Sequence, residues 1–150
     1  MWFTFVFLFD VLEHIARPVD FLKACAFHLR PGGYLIINVP AMPWLYSAYD
    51  EANGHVKRYR KNDLMGELEM AGMDNHFAVY WGFFMIPLAY IRKWMPSKNK
   101  TKGQIIASGF QVKNKLFNRL LKAVCGIEKY MFTQPPIGTS LMAVARKKEQ

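Results

Sequence analysis

Three ionisable side chains crowd one short stretch of the chain: Asp10, Glu13 and His14. If the backbone turns helical there, positions i, i+3 and i+4 project from one face of a single turn, and two carboxylates converge with an imidazole. Such a set suits general acid–base work, with His14 or Glu13 taking the proton from a substrate hydroxyl as its oxygen attacks. Histidine fits that task because its reference pKa of about 6.5 allows both protonation states at neutral pH. A purely structural role is equally open: Glu13 starting a helix, Asp10 capping it, and His14 bonding the loop above. Further on, Trp44, Tyr46, Tyr49 and Tyr59 stand among charges in residues 40–62. They read as a substrate lid or as the aromatic cover of a sheet edge. Arg58, with Lys57 and Arg60, reads either as a hold for an anionic substrate such as a phosphate-linked sugar or as a solvated run. His28 and His76 read as structural.

A strand–helix–strand unit must position these residues. Phe3 to Phe9 (FTFVFLF) is aromatic and branched without polar alternation, the pattern of a strand that is central and covered on both faces in a complete sheet, with one side left without a neighbour in these residues. Pro18 marks a helix start; Phe21, Leu22, Cys25, Ala26 and Leu29 keep helical spacing, and Pro31-Gly32-Gly33 is expected to end it. Tyr34 to Val39 reads as a second buried strand, which makes the unit a right-handed crossover of an α/β sheet. Residues 40–62 follow the carboxyl end of that strand, where ligands bind in open α/β sheets. Helical spacing returns over Lys61 to Ala71 with Gly72 as its stop, Phe77 to Trp81 reads as a strand, and Ser140 to Ala145 as the last one. Between them, an apolar run from Phe83 to Ile91 reads as a core helix or a lipid-interface segment. A lysine-rich link spans Ser97 to Gly103. An amphipathic stretch from Gln104 to Tyr130 steps through Val112, Leu116, Leu120 and Val124, with Phe117 and Leu121 beside them.

Composition narrows the class. The 150 residues are 52% hydrophobic with 10 Gly and 8 Pro, which argues for one compact domain and against disorder or collagen. Cys25 and Cys125 lie too far apart in sequence for a disulfide framework or a paired zinc motif, so a reduced, cytoplasmic setting is expected. The apolar start has no basic flank, and Asp10 and Glu13 follow it at once, unlike a signal peptide. The uncharged stretch from Asn75 to Ile91 falls short of the roughly 20 apolar residues of a membrane span. Residues 1–75 hold 7 Lys+Arg and 9 Asp+Glu, a net −2, whereas residues 76–150 hold 13 and 2, a net +11. The basic half suits a polyanion, either nucleic acid or an anionic lipid surface, or is simply solvated.

Asp10-Val11-Leu12-Glu13-His14, followed by Leu29-Arg30-Pro31-Gly32-Gly33 and a strand, resembles class I S-adenosylmethionine-dependent methyltransferases. The likeness continues through Val39-Pro40-Ala41, Trp44, Tyr46, Asp50-Glu51, Gly54-His55, Arg58-Tyr59, Leu64 and Ala71-Gly72. It closes with Gly138-Thr139-Ser140-Leu141 and Val144-Ala145-Arg146-Lys147. It is similar in particular to bacterial members associated with polysaccharide and glycolipid assembly. The resemblance implies an α/β fold: a partial Rossmann-like methyltransferase sheet of the last four strands, the final one antiparallel, with flanking helices. Residues 1–150 would be the C-terminal portion of the domain, with a basic, partly helical insertion at about 83–130.

The same resemblance implies Asp10 and Val11 at the cofactor, Glu13, His14 and His55 as catalytic groups, and Trp44, Tyr46, Arg58 and Tyr59 at the substrate. A narrower likeness to small-RNA 2′-O-methyltransferases and quinone O-methyltransferases implies a divalent ion (Mg, Mn or Zn) on Asp10, Glu13, His14 and His55. The Gly-rich turn and the ribose-binding acid of the family's first half are not among these residues. The expectation is therefore methyl transfer to an oxygen of a small-molecule, glycan or lipid-linked substrate. The first half would lie in a longer polypeptide, cut off by a wrong start site or a truncation, or in a companion chain from a split gene, and the chain would be inactive alone. Its rivals are a non-catalytic module on a membrane or nucleic acid, and an RNA 2′-O-methyltransferase.

Overall fold

The computed structural model describes residues 2–94, 101–108, 119, 122, 123, 126–128, 130, 131 and 133–149. Strand β1 (Phe3–Phe9) leads through a 3-10 turn (Leu12–His14) to helix α1 (Pro18–His28) and strand β2 (Leu29–Pro40). A second 3-10 turn (Pro43–Leu45), helix α2 (Ala48–Asn53) and helix α3 (Lys61–Met70) precede strand β3 (Met73–Trp81). A third 3-10 turn (Phe83–Met85) runs into helix α4 (Ile86–Lys93); α5 (Lys102–Ser108) and strand β4 (Ser140–Lys147) follow. The sheet order is β1-β2-β4-β3. β1 and β2 are parallel, and β4 runs antiparallel to both β2 and β3. The α/β class, the four strands and the antiparallel last strand all agree with the sequence reading.

Local chemistry accounts for the elements. Pro18 sits in the first turn of α1, where its missing N–H costs nothing. Gly72, at φ 80°, follows α3 in the left-handed conformation that ends helices. α1 lays Leu22 and Ala26, and α3 lays Leu64 and Leu68, on one face of the sheet against Leu8, Leu35, Ile37, Val39, Leu141, Ala143 and Ala145. Burying one such leucine contributes roughly 1.5–3 kcal/mol before entropy is counted.

Three expectations change. Pro31-Gly32-Gly33 does not end α1: the helix stops at His28, Leu29 is already extended and pairs with Phe3, and the Gly32 turn at φ 71° is the irregularity that lets β2 re-enter register at Phe5↔Tyr34. Among the described residues β1 lacks a neighbour on one side, as expected for this half of the sheet, but it is not covered on both faces. It is an edge strand, and Phe3, Phe5, Phe7 and Phe9 are about half exposed, because α1 and α3 lie on the opposite face. Uniform apolarity reported that both faces call for cover, not that this chain supplies it. The Phe83–Ile91 run is helical from Ile86 onward but is not a core helix: Ala89 alone in α4 is buried. The stripe Val112, Leu116, Phe117, Leu120, Leu121 and Val124 lies outside the described residues. Cys25 is a free thiol. Among the described residues no helix is long and apolar enough to cross a membrane.

Candidate functional site

The site grows from the carboxyl ends of the parallel neighbours β1 and β2. β1 ends at Phe9, and Asp10 turns the chain at φ 54°, a left-handed value that aspartate tolerates better than most residues. Helical geometry begins only at Leu12, as a 3-10 turn without a side-chain cap. The expected single-face trio of Asp10, Glu13 and His14 therefore does not form, since that spacing argument needs a helix starting at Asp10. Asp10 is exposed and accepts a hydrogen bond from Asn38 Nδ2 at 3.2 Å. Val11 is half-buried against the core. Glu13 is 1% exposed, while His14 reaches solvent.

His55 arrives from the other side. Ser47 and Asp50 close a capping box at the head of α2. Gly54, at φ 79°, ends that helix in a conformation which a residue with a Cβ would adopt only under strain. The loop that follows is stitched to the turn after β1. His14 Nδ1 lies 3.1 Å from the Gly54 carbonyl, and the Val56 amide donates to the Glu13 carbonyl at 2.7 Å. The Tyr46 hydroxyl donates to the His55 carbonyl at 2.7 Å. The two imidazoles meet edge to face at 4.9 Å, and His55 Nε2 stands 4.0 Å from Glu13 Oε1. One ligating atom each from Glu13, His14 and His55 lies within 4.8 Å of the other two, and Asp10 is not in that group.

Hydrogen bonding fixes what these groups offer. Asp50 is fully buried and accepts from Arg58 Nε at 2.9 Å and Nη2 at 3.2 Å, from Ser47, and from His55 Nδ1 at 2.9 Å. Burial pushes its carboxyl up, but the Arg58 guanidinium and the bonds from Arg58, His55 and Ser47 outweigh that and hold it below its ordinary value. An ionised Asp50 can only accept, so His55 carries its proton on Nδ1 and presents the Nε2 lone pair toward Glu13. The Gly54 carbonyl fixes His14 in the same tautomer. Glu13 differs: among the described residues neither carboxylate oxygen has a hydrogen-bond partner, and burial, with Asp10 adding to it, raises its pKa. Asp50 enters the sequence reading only as part of the family likeness; its local signal is the Ser47-x-x-Asp50 capping spacing.

Two predicted substrate residues are engaged internally. Arg58 is buried, spanning Asp50 and the Ala41 carbonyl, and is neither a free anion hold nor a solvated charge. Tyr59 is fully buried with its hydroxyl 3.4 Å from the Leu12 carbonyl, so it belongs to the core rather than to a lid. Lys57 pairs with Glu67 and lies over the Tyr59 ring. Trp44 is exposed in the turn after β2, and Tyr46 is half-buried beside His55. Of the anion hold expected around Arg58, Arg60 is exposed and Lys57 is half-buried on Glu67.

Comparison with known proteins fits this geometry. Residues 2–77 match a family described as a methyltransferase domain. No curated protein matches the chain. Among solved structures, a methyltransferase candidate from Bacillus halodurans is similar at TM-score 0.56 and 17% identity, over 98% of this chain and 65% of that one. An S-adenosylmethionine-dependent methyltransferase from Mesorhizobium loti gives 0.54 and 13%, over 97% and 62%. The [4+2]-cyclase SpnF gives 0.54 and 16%, over 99% and 52%. The chain thus spans less than two thirds of each of these three structures. At such identities the likeness concerns the fold, which SpnF couples to a different named reaction.

Proposed function

Because the chain belongs to the methyltransferase-domain family of class I, S-adenosylmethionine-dependent enzymes, we propose that it forms the second half of an enzyme that methylates a substrate oxygen. The observation that carries the reading is Glu13: a buried carboxylate without a hydrogen-bond partner, flanked by two oriented imidazoles at the carboxyl ends of parallel strands. S-adenosylmethionine, when bound, supplies an electrophilic methyl carbon whose bond to sulfur breaks with its electrons remaining on sulfur. His55 Nε2 takes the proton of the acceptor hydroxyl as that oxygen bonds to carbon, and Asp50 stabilises the resulting imidazolium through Nδ1. Glu13 Oε1, 4.0 Å from that nitrogen, faces the imidazolium that forms and, when ionised, adds its charge to that of Asp50. Asp10 and Val11 stand at the β1 end where the cofactor would lie.

The first half of the fold is part of this proposal. β1 has an unpaired parallel edge among the described residues, and its aromatic face is bare, both of which invite a further strand and helices. Preceding residues or a companion chain would bring the glycine turn and ribose-binding acid absent from this sequence. The chain by itself is expected to bind S-adenosylmethionine weakly or not at all, which titration calorimetry checks.

A second reading of the same cluster is favoured by one observation: each histidine gives its other ring nitrogen to a carbonyl or carboxylate, as imidazoles that ligate metals do. Glu13, His14 and His55 would hold a divalent cation, which lowers the pKa of a hydroxyl bound to it. The test uses the polypeptide carrying both halves, tritiated S-adenosylmethionine and a pool of hydroxylated acceptors. Base-stable methyl ethers that fall about 10²–10⁴-fold in His55→Ala support the base. Unchanged transfer in that variant overturns it. Thermal unfolding with Mn²⁺ decides the metal: a raised Tm in the wild type that vanishes in Glu13→Gln supports it, and no rise removes it.

A further inference from the structure

Against the 43–45 turn, α4 presents a second feature. Trp44, Tyr90, Ile91 and Trp94 are 43%, 47%, 62% and 71% exposed. Their rings form a contiguous row, Trp44 to Tyr90 at 6.3 Å and Tyr90 to Trp94 at 6.2 Å. Lys93 crosses the row to donate to the Trp44 carbonyl, so an ammonium sits at its rim. A monomer in water gains nothing from holding two indoles, a phenol and an isoleucine outward together.

Charge says what would cover them. From Asn75 to Ile127 the sequence contains no Asp or Glu and nine Lys+Arg. Glu128, the next acid, is buried and accepts the amides of Gly82 and Phe83 at 2.7 and 3.0 Å, which ties the start of the α4 segment and turns that carboxylate inward. α5 carries exposed Lys102 against α2, on the helix that follows the Trp44 turn. Tryptophan and tyrosine favour the boundary between headgroups and acyl chains, and a basic rim adds attraction to anionic headgroups. We infer that the Trp44–Tyr90–Trp94 surface docks on an anionic lipid bilayer. Ile91, which offers an aliphatic tip rather than a stacking plane, favours lipid over a nucleic-acid base. The inference stands apart from the methyl-transfer reading, since it uses none of the Glu13 cluster.

The full chain is to be sedimented with vesicles of phosphatidylcholine and of phosphatidylcholine with phosphatidylglycerol at about three to one. Binding is expected to be about tenfold tighter to the anionic vesicles and to weaken with salt. Ile91→Ser with Trp94→Ser should cut it about tenfold, and Lys93→Glu about fivefold. Phe5→Ser with Phe7→Ser, on the bare sheet face, should leave it unchanged. Equal binding to neutral vesicles, loss only in the sheet-face variant, or capture of polyuridylate in place of vesicles would each overturn the inference. If the α4 variant fails to fold by circular dichroism, brominated lipids decide: in Trp2→Phe with Trp81→Phe, quenching of the remaining indoles supports docking, and unquenched emission refutes it.

Discussion

Asp50 and Glu13 are both buried carboxylates, and His55 lies between them, yet their surroundings are opposite. Asp50 is surrounded by donors from Ser47, His55 and Arg58. Glu13 has none. The first is held ionised and anchors the 47–58 segment; the second is pushed toward its neutral form by the same burial. A fold that satisfies one carboxylate several times over and leaves its neighbour without a partner has separated a structural acid from one available to a proton, a cation or a substrate.

The comparison is broken most severely at Arg58. Arg58→Met leaves the buried Asp50 charge without its cation, held only by Ser47 and His55, and urea unfolding at pH 7 is expected to lose about 3–5 kcal/mol. Because the folded pKa of Asp50 is depressed, its contribution is present above the unfolded value near 3.8 and is lost as pH falls through the folded one. The variant and the wild type should therefore converge in acid.

Glu13→Gln works in the other direction. A raised folded pKa means that the ionised form costs stability above that pKa, and that the cost disappears as pH falls toward 4.5. The substitution should raise stability at pH 7 by about 1–2 kcal/mol, with the gain closing as the buffer is acidified. A loss at pH 7 would mean that Glu13 is engaged after all. The smallest effect belongs to Tyr46→Phe, which removes the hydrogen bond to the His55 carbonyl and should cost about 0.5–1.5 kcal/mol in the same assay. Its sharper readout is the nuclear magnetic resonance titration of His55, whose ring should lose its fixed orientation if that loop loosens.

Much of the fold was legible because it is locally encoded. Pro18 at the head of α1, Gly72 after α3 and the branched cores of β2 and β4 act within a few residues of themselves, so a one-dimensional reading finds them. Phe3–Phe9 was legible as a strand, and as one left without a neighbour on one side, but its bare aromatic face was not, since apolarity states a need for cover without saying which chain meets it. Within the site, Glu13, His14 and His55 were readable as residue types with suitable chemistry, and the family resemblance supplied their grouping.

What the sequence by itself determined is therefore the four strands with helices α1 and α3, the charge division between the two halves, and the residues able to ligate or move a proton. Tertiary structure alone decided which of them meet. Asp10 left the cluster because of one left-handed backbone angle. Tyr59 entered the core through a contact with Leu12, 47 positions away, and Gly54 oriented His14 across 40. Arg58 was turned inward because α2 placed Asp50 beneath it. Each outcome depends on the free energy of packing distant segments together, and no window of neighbouring residues contains that quantity.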